Sequence, residues 1–448
     1  MNRASVRDLC SAAFAALLVA AAAVVGRHID DFRDTLRVGW PPLLAHFDPH
    51  VGPGTPAAVL LAAAGVAAGP WAAARLSWRS LTLGAWAASM AWIWSLALID
   101  GLHDGVAVRL TTRHEYLQVI GRFHDIPAAL DEFSRHILLH SPDNWPAHVA
   151  GHPPAATVTF VLLDRIGLHG GGWAGAWCIT VGASACAAVL VAVRALASED
   201  LARRAAPFLV FAPAAVWMGT SADAYFTAVA AWAVALLAVA VTRRSVGAAA
   251  ASGLLFGLTC YLSYGLTLFA LIAASVLVLG RRALRARPLL VAALAAGAAV
   301  VPTLFTLAGF DWWEAYRLLV TRYYEGAGGV RPYGYWVWAN LACTVVITGL
   351  ATSAGLVRAA GTPTLLRRGA ATPEDVARAR LALVVGSAFL ALLVADLSGM
   401  SKAETERIWL PFAVWLLPAC AWLTGARAWL CAQVLIALLV NHLLHTGW

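Results

Sequence analysis

Several residues of this sequence have types and spacings that could support chemistry. Glu115, in the run RHEYLQ, is a carboxylate flanked by Arg113 and His114, and such a group can take a proton from a hydroxyl as a general base. Asp223, in SADAYF, lies between two apolar runs. A carboxylate there costs about 3 kcal/mol if it enters hydrocarbon, so its cheaper place is an aqueous mouth, either as a site residue or as a helix N-cap. Lys402, the only lysine among 32 basic residues, shares SKAETERIW with Arg407. Two such cations can clamp a phosphate through charge-assisted hydrogen bonds, or pair locally with Glu404 and Glu406. His148 and His152, in HVAGHPP, have a metal-compatible spacing, yet Gly151 and the prolines after it break the helix that spacing needs. Further on, Trp312, Trp313, Tyr323 and Tyr324 interleave with Arg322 and Arg331. Aromatic faces beside charged groups suit a sugar ring, and they also anchor chains at a membrane interface.

Other chemistries find no support. No GxGxxG, Walker loop, HExxH or serine-nucleophile elbow stands in a convincing context. The 7 cysteines fall in apolar runs without CxxC spacing, which makes them packing residues and not thiolate ligands or a disulfide frame.

The elements that must position these residues are membrane helices. With 61% hydrophobic and 12% charged residues, and a mean hydropathy of +0.73, the chain cannot be an ordinary soluble domain. The expected fold class is all-α, a single polytopic transmembrane helix bundle over residues 1–448. Taking about twenty apolar residues per crossing gives about thirteen spans. They fall at 9–25, 56–74, 81–99, 173–195, 205–219, 222–241, 246–262, 265–279, 288–308, 336–356, 381–397, 408–424 and 428–445. The run 153–166 is too short to cross, so it is read as a helix lying along the interface.

Charge gives a second view of the same topology. With these spans, 19 of the 32 basic residues collect on one side, in short clusters such as Arg243/Arg244, Arg281/Arg282/Arg285/Arg287 and Arg358/Arg367/Arg368/Arg378/Arg380. Basic loops stay cytoplasmic, which places the N-terminus inside. Membrane lipids, not nucleic acid, are then the expected partners of the basic charge. The loops left outside are 28–55, with Asp30 and Asp31; the cap 100–171; the aromatic loop 309–335; and the basic loop 398–407. The candidate site residues lie in these loops, apart from Asp223, which stands at the outer turn between the spans 205–219 and 222–241.

The order of these features resembles the GT-C superfamily of polytopic glycosyltransferases, especially its protein-mannosyltransferase and aminoarabinose-transferase-like branch. The resemblance rests on Glu115 early in an external loop, His152-Pro153-Pro154, the short helix at 158–166, the basic stretch 194–204, Asp223 after a short span, and the late loop with Lys402 and Arg407. The chain is also similar to actinobacterial integral membrane proteins carrying EYL, GHPP, SYG, RPYGY and ERIWLPF. The superfamily resemblance implies a GT-C-like architecture with an external amphipathic-helix cap in a bacterial plasma membrane, serving the cell envelope. It implies inverting transfer of a sugar from a polyprenyl-phosphate donor to a hydroxyl of a glycan, glycolipid or protein acceptor. Glu115 would be the base; Asp31 competes for that role, because the family places its acidic motif after the first span. Asp223 would complete the catalytic set, Lys402, Arg407 and His152 would bind phosphate, and Trp312, Trp313, Arg322, Tyr323, Tyr324 and Arg331 would hold the sugar or acceptor. No cofactor is required on this reading, and no metal is compulsory for a lipid monophosphate leaving group. A transporter or flippase of a lipid-linked or anionic substrate is the alternative.

Overall fold

The structure, a computed structural model, describes residues 3–362 and 372–447. Arg367 and Arg368 of the predicted basic clusters lie outside the described residues. The protein is an all-α helix bundle of the kind that is integral to a membrane, with one small antiparallel sheet. Among the described residues, 9 helices are long and apolar enough to cross a membrane, and the count reaches 10 if the bent pair Tyr333–Thr348 and Leu350–Ala360 is one span.

This tally does not reach the expected thirteen, and the difference lies in three runs that still lead from one end of the bundle to the other but are broken or short. Residues 205–219 divide between the helix Glu199–Val210 and the short helix Ala215–Met218, with Pro213 at the break. Residues 408–424 divide into Thr405–Ile408, Leu410–Ala413 and the tighter turn Leu417–Trp422, with Pro411 and Pro418 at the breaks. Proline removes a backbone donor and stops the helix, and both segments are buried by neighbouring helices, which satisfy what the breaks expose. The third run, Val246–Leu262, is continuous but has only 17 residues, about 25 Å of helix.

At the centre stands Ala222–Arg243, buried along nearly its whole length. Its alanines let neighbours come close: a Cβ added at Gly182 would lie 2.8 Å from that of Ala224. Such small-residue contacts are how helices associate where lipid supplies no hydrophobic drive. Peripheral helices such as Leu289–Leu307 instead expose Leu289, Val291, Val300, Leu304 and Leu307, the pattern of a surface that meets acyl chains. The bent pair turns by 106° at Gly349, whose φ of +81° suits glycine and whose α-carbon faces Gln433.

The two ends of the bundle differ in what holds them. At one end the four predicted loops form a single layer. His50 Nε2 lies 2.9 Å from Asp100 Oδ1, Arg331 Nε donates to the Leu36 carbonyl at 3.0 Å, and Arg322 Nη2 donates to that of Trp145 at 2.8 Å. Strand Leu43–Phe47 pairs antiparallel with Leu444–Thr446, joining the loop after the first helix to the end of the last. At the other end arginines close the helix termini. Arg203 Nη1 donates to the carbonyls of Ala73 and Leu76, both at 2.8 Å, and Arg358 holds Asp8 and the Trp422 carbonyl.

Candidate functional site

Helix ends and irregular turns of the polar layer supply the site. Asp223 sits in the first turn of the central helix, where the helix dipole favours a negative charge. Glu115 precedes a tight turn of helix over Tyr116–Arg122, and His148 lies on the one-turn helix Ala147–Gly151. The backbone N–H of His148 donates to the His114 carbonyl at 3.0 Å, which fixes these two parts of the cap against each other. Arg407 comes from the short helix Thr405–Ile408.

These four side chains form one buried chain of charge. His148 Nδ1 lies 2.8 Å from Glu115 Oε1, His148 Nε2 lies 3.3 Å from Arg407 Nη2, and Arg407 Nη1 pairs with Asp223 Oδ2. Arginine can only donate, so in this arrangement Nε2 is the acceptor and Nδ1 carries the proton that Glu115 receives. Glu115, Asp223 and Arg407 are 4%, 3% and 3% exposed, so the pairs act in a medium far less polar than water. Glu115 Oε2 is buried without a hydrogen-bond partner among the described residues. Burial works against the charge of Glu115, but the contact with His148, with Arg407 beyond, holds its carboxyl below the usual range. Burial likewise opposes the charge of Arg407, and Asp223, Glu404 and Glu115 more than restore it.

Glu404 links this chain to a second one. Its carboxylate lies 3.3 Å from Arg331 Nη1 and 3.7 Å from Arg407 Nη2, and with a side chain 27% exposed it is the most open member of the cluster. Arg331 also donates to the Lys402 carbonyl at 2.8 Å. Both Ala403 and Glu404 adopt left-handed backbone, at φ +73° and +62°, a conformation that costs a non-glycine residue about 1–2 kcal/mol. The surroundings over-determine that turn: Asn340 donates to the Ser401 carbonyl at 2.7 Å, and the Lys402 N–H donates to the Tyr323 hydroxyl at 3.1 Å. Glu406, fully buried, accepts from the Leu44 N–H at 2.9 Å, and burial pushes its carboxyl up to about 7.

The other predicted residues are distributed around this centre. Lys402 is buried, its Nζ donating to the Gly328 carbonyl at 2.7 Å and lying 5.4 Å from the Tyr324 ring centroid. Its ammonium thus faces the aromatic segment. His152 Nδ1 lies 2.7 Å from the His148 carbonyl and 3.0 Å from the Tyr116 hydroxyl, and burial lowers its pKa to about 4, so it is neutral. Asp31 is exposed on the last turns of the first helix and has no ion pair or hydrogen bond to the cluster among the described residues. The aromatic segment is not a loop but the amphipathic helix Trp312–Glu325, capped by Asp311. Trp312 Nε1 donates to the Cys260 carbonyl at 2.9 Å and its ring stacks on Tyr316, whereas Trp313 and Tyr324 are exposed. Arg322 binds carbonyls of the cap. Among the described residues no three His, Cys, Asp or Glu side chains gather as a metal-holding group.

His148 is the residue that sequence reasoning left out of the site. Its spacing from His152 raised a metal pair that the broken helix argued against, and the ring turns to Glu115 and Arg407.

No protein-family model matches the chain, and no curated protein does. Among solved structures it is similar to the oligosaccharyltransferase of Archaeoglobus fulgidus in complex with zinc and sulfate, at 13% sequence identity and a TM-score of 0.38. The similarity covers 75% of this chain and 47% of that one, so the chain spans about half the length of the enzyme it matches.

Proposed function

We propose that this protein is a membrane glycosyltransferase of the GT-C type, which transfers a sugar from a polyprenyl-phosphate donor to an acceptor hydroxyl with inversion. The observation that carries the proposal is the free, buried Oε2 of Glu115, held ionised beside His148 and next to the guanidinium of Arg407. A base with an open lone pair and a cation close by are what such a displacement needs. The acceptor oxygen forms its bond to the anomeric carbon as the bond from that carbon to the donor phosphate oxygen breaks. The acceptor proton passes to Glu115, and the electron pair leaves with the polyprenyl phosphate. Arg407, with Lys402 and Arg331 behind it, offsets the charge that grows on the departing group. Glu404 occupies the place between two guanidiniums that a phosphate would take, so donor binding displaces it.

Transport makes a different demand, because a transporter places ionisable groups near mid-membrane. In every described candidate span the charged residues lie within eight residues of a helix end. By the positive-inside rule the arginine-bearing end is cytoplasmic, and the Glu115 cluster works on the extracytoplasmic face. The test is incubation of purified protein in lipid with radiolabelled polyprenyl-phosphate sugars and candidate glycan, glycolipid and peptide acceptors. Labelled product that disappears with Glu115→Gln supports the proposal. Full product formation by that variant, or vectorial movement of the intact donor without transfer, defeats it.

A further inference from the structure

At the arginine-bearing end, a cleft of about 230 Å3 opens between the ends of helices Ala222–Arg243 and Phe269–Ala286 and the early turns of Pro373–Leu397. Arg244, Arg282 and Arg380 line it, one from each of these three parts, and no acidic residue does. Its floor is a close contact, since a Cβ added at Gly280 would lie 2.5 Å from that of Val241.

Acids on the adjoining elements are already committed. Glu199 holds Arg194 and Arg203, Glu374 holds Arg378, and Asp375 caps its own helix through Thr372. The guanidiniums of Arg244, Arg282 and Arg380 have no ion pair or hydrogen bond among the described residues. All three are exposed to solvent, and three cations lining one small cleft without an acid of their own favour an anion there.

The source of that anion is indicated by what lies beside the cleft. On the helix that bears Arg282, the positions Ala270, Ala274 and Val278 are exposed, and each is one helical step of four from the next and from Arg282. A lipid-facing apolar stripe thus leads straight to the guanidiniums. We propose that the cleft binds the phosphodiester headgroup of an anionic phospholipid in the leaflet at this end, with the acyl chains lying along that stripe. The inference is independent of the transferase reading.

Native mass spectrometry of the full chain in detergent tests it, with dioleoyl phosphatidylglycerol and dioleoyl phosphatidylcholine as probes. The expected result is adduct formation with phosphatidylglycerol at least about tenfold above phosphatidylcholine. That excess should vanish in the triple variant R244Q/R282Q/R380Q and survive in R281Q/R285Q, whose arginines flank the cleft without lining it. If the triple variant does not fold, R282Q alone carries the test, with a partial loss of the adduct. Equal binding of the two lipids, or undiminished phosphatidylglycerol adducts in the variants of the cleft, overturns the proposal. So does displacement of the lipid by millimolar inorganic phosphate, which makes the cleft a site for free anions.

Discussion

The imidazole of His148 bridges the carboxylate of Glu115 and the guanidinium of Arg407, 2.8 Å from the first and 3.3 Å from the second. Glu115 therefore owes its ionised state to a partner as much as to its own chemistry. Replacing Glu115 with Gln is expected to lower the transfer rate by about 10²–10⁴-fold while the protein still folds. Replacing His148 with Gln removes the main group opposing burial. The limb of the pH profile that rises with Glu115 ionisation then moves to higher pH in kcat/KM measurements. The linkage has the same sign. A depressed carboxyl stabilises the fold above the ordinary carboxylate range, and that stabilisation is lost as pH falls through the lowered value. Thermal unfolding of wild type against Glu115→Gln between pH 3 and pH 7 should show the difference shrinking toward acid.

Arg407 and Asp223 form a buried ion pair, each 4% exposed at the side chain. Removing one partner leaves the other charged and unsolvated, so Arg407→Met is expected to destabilise the protein by about 3–5 kcal/mol. Removing both, in Arg407→Met with Asp223→Leu, should restore much of that stability and none of the transfer. Unfolding in detergent together with the donor assay separates the two effects. Recovered activity in the double variant would show that the pair is merely architectural.

How much of this was visible beforehand depended on the kind of signal. Apolar runs announced the bundle, and arginine clusters divided its ends, because both are properties of short stretches read one at a time. Glu115, Asp223 and Arg407 stood out for the same reason, as charges at the edges of apolar runs. Their contact did not, since it is made by irregular turns of the cap that carry no periodic pattern. His148 was weighed only as a metal partner of His152 and set aside, and Lys402 was read as a phosphate clamp or a partner of Glu404 and Glu406, whereas its ammonium reaches the Gly328 carbonyl. Hydropathy also reads 205–219 and 408–424 as plain spans, for it registers their burial and not the breaks near Pro213, Pro411 and Pro418.

Gly349 tests whether the 106° bend is specified locally. Its φ is +81°, and an added Cβ would lie 2.6 Å from Gln433 Cγ. Gly349→Ala should therefore cost at least about 1 kcal/mol, more if Gln433 cannot withdraw. Gly84, with open space around it and ordinary backbone, is the control, and Gly84→Ala should be neutral or slightly stabilising. Thermal unfolding of the two variants in one detergent decides it.

Sidedness can be read with a membrane-impermeant thiol reagent on intact cells. Cysteine placed at Asp143 or Trp313, both exposed in the polar layer, should react from outside. Cysteine at Arg282 should react only after permeabilisation. Labelling of positions 143 and 282 from the same side would contradict the division of the bundle into a basic and a polar end.

Glu404 offers the most direct test of how the donor enters. Its carboxylate stands between Arg331 and Arg407, at 3.3 and 3.7 Å, on a strained turn and partly open to solvent. If a donor phosphate takes that place, the native carboxylate competes with it, and Glu404→Gln weakens the competitor while leaving Glu115 and His148 untouched. The variant is expected to lower the KM for the lipid donor several-fold with little change in kcat, and to make binding more sensitive to salt, since two guanidiniums lose a competing anion. Glu406→Gln, two residues away but directed at the Leu44 backbone, should leave the donor KM unchanged. A raised KM in Glu404→Gln would mean that Glu404 holds the arginines in place for the donor and does not stand in for its phosphate.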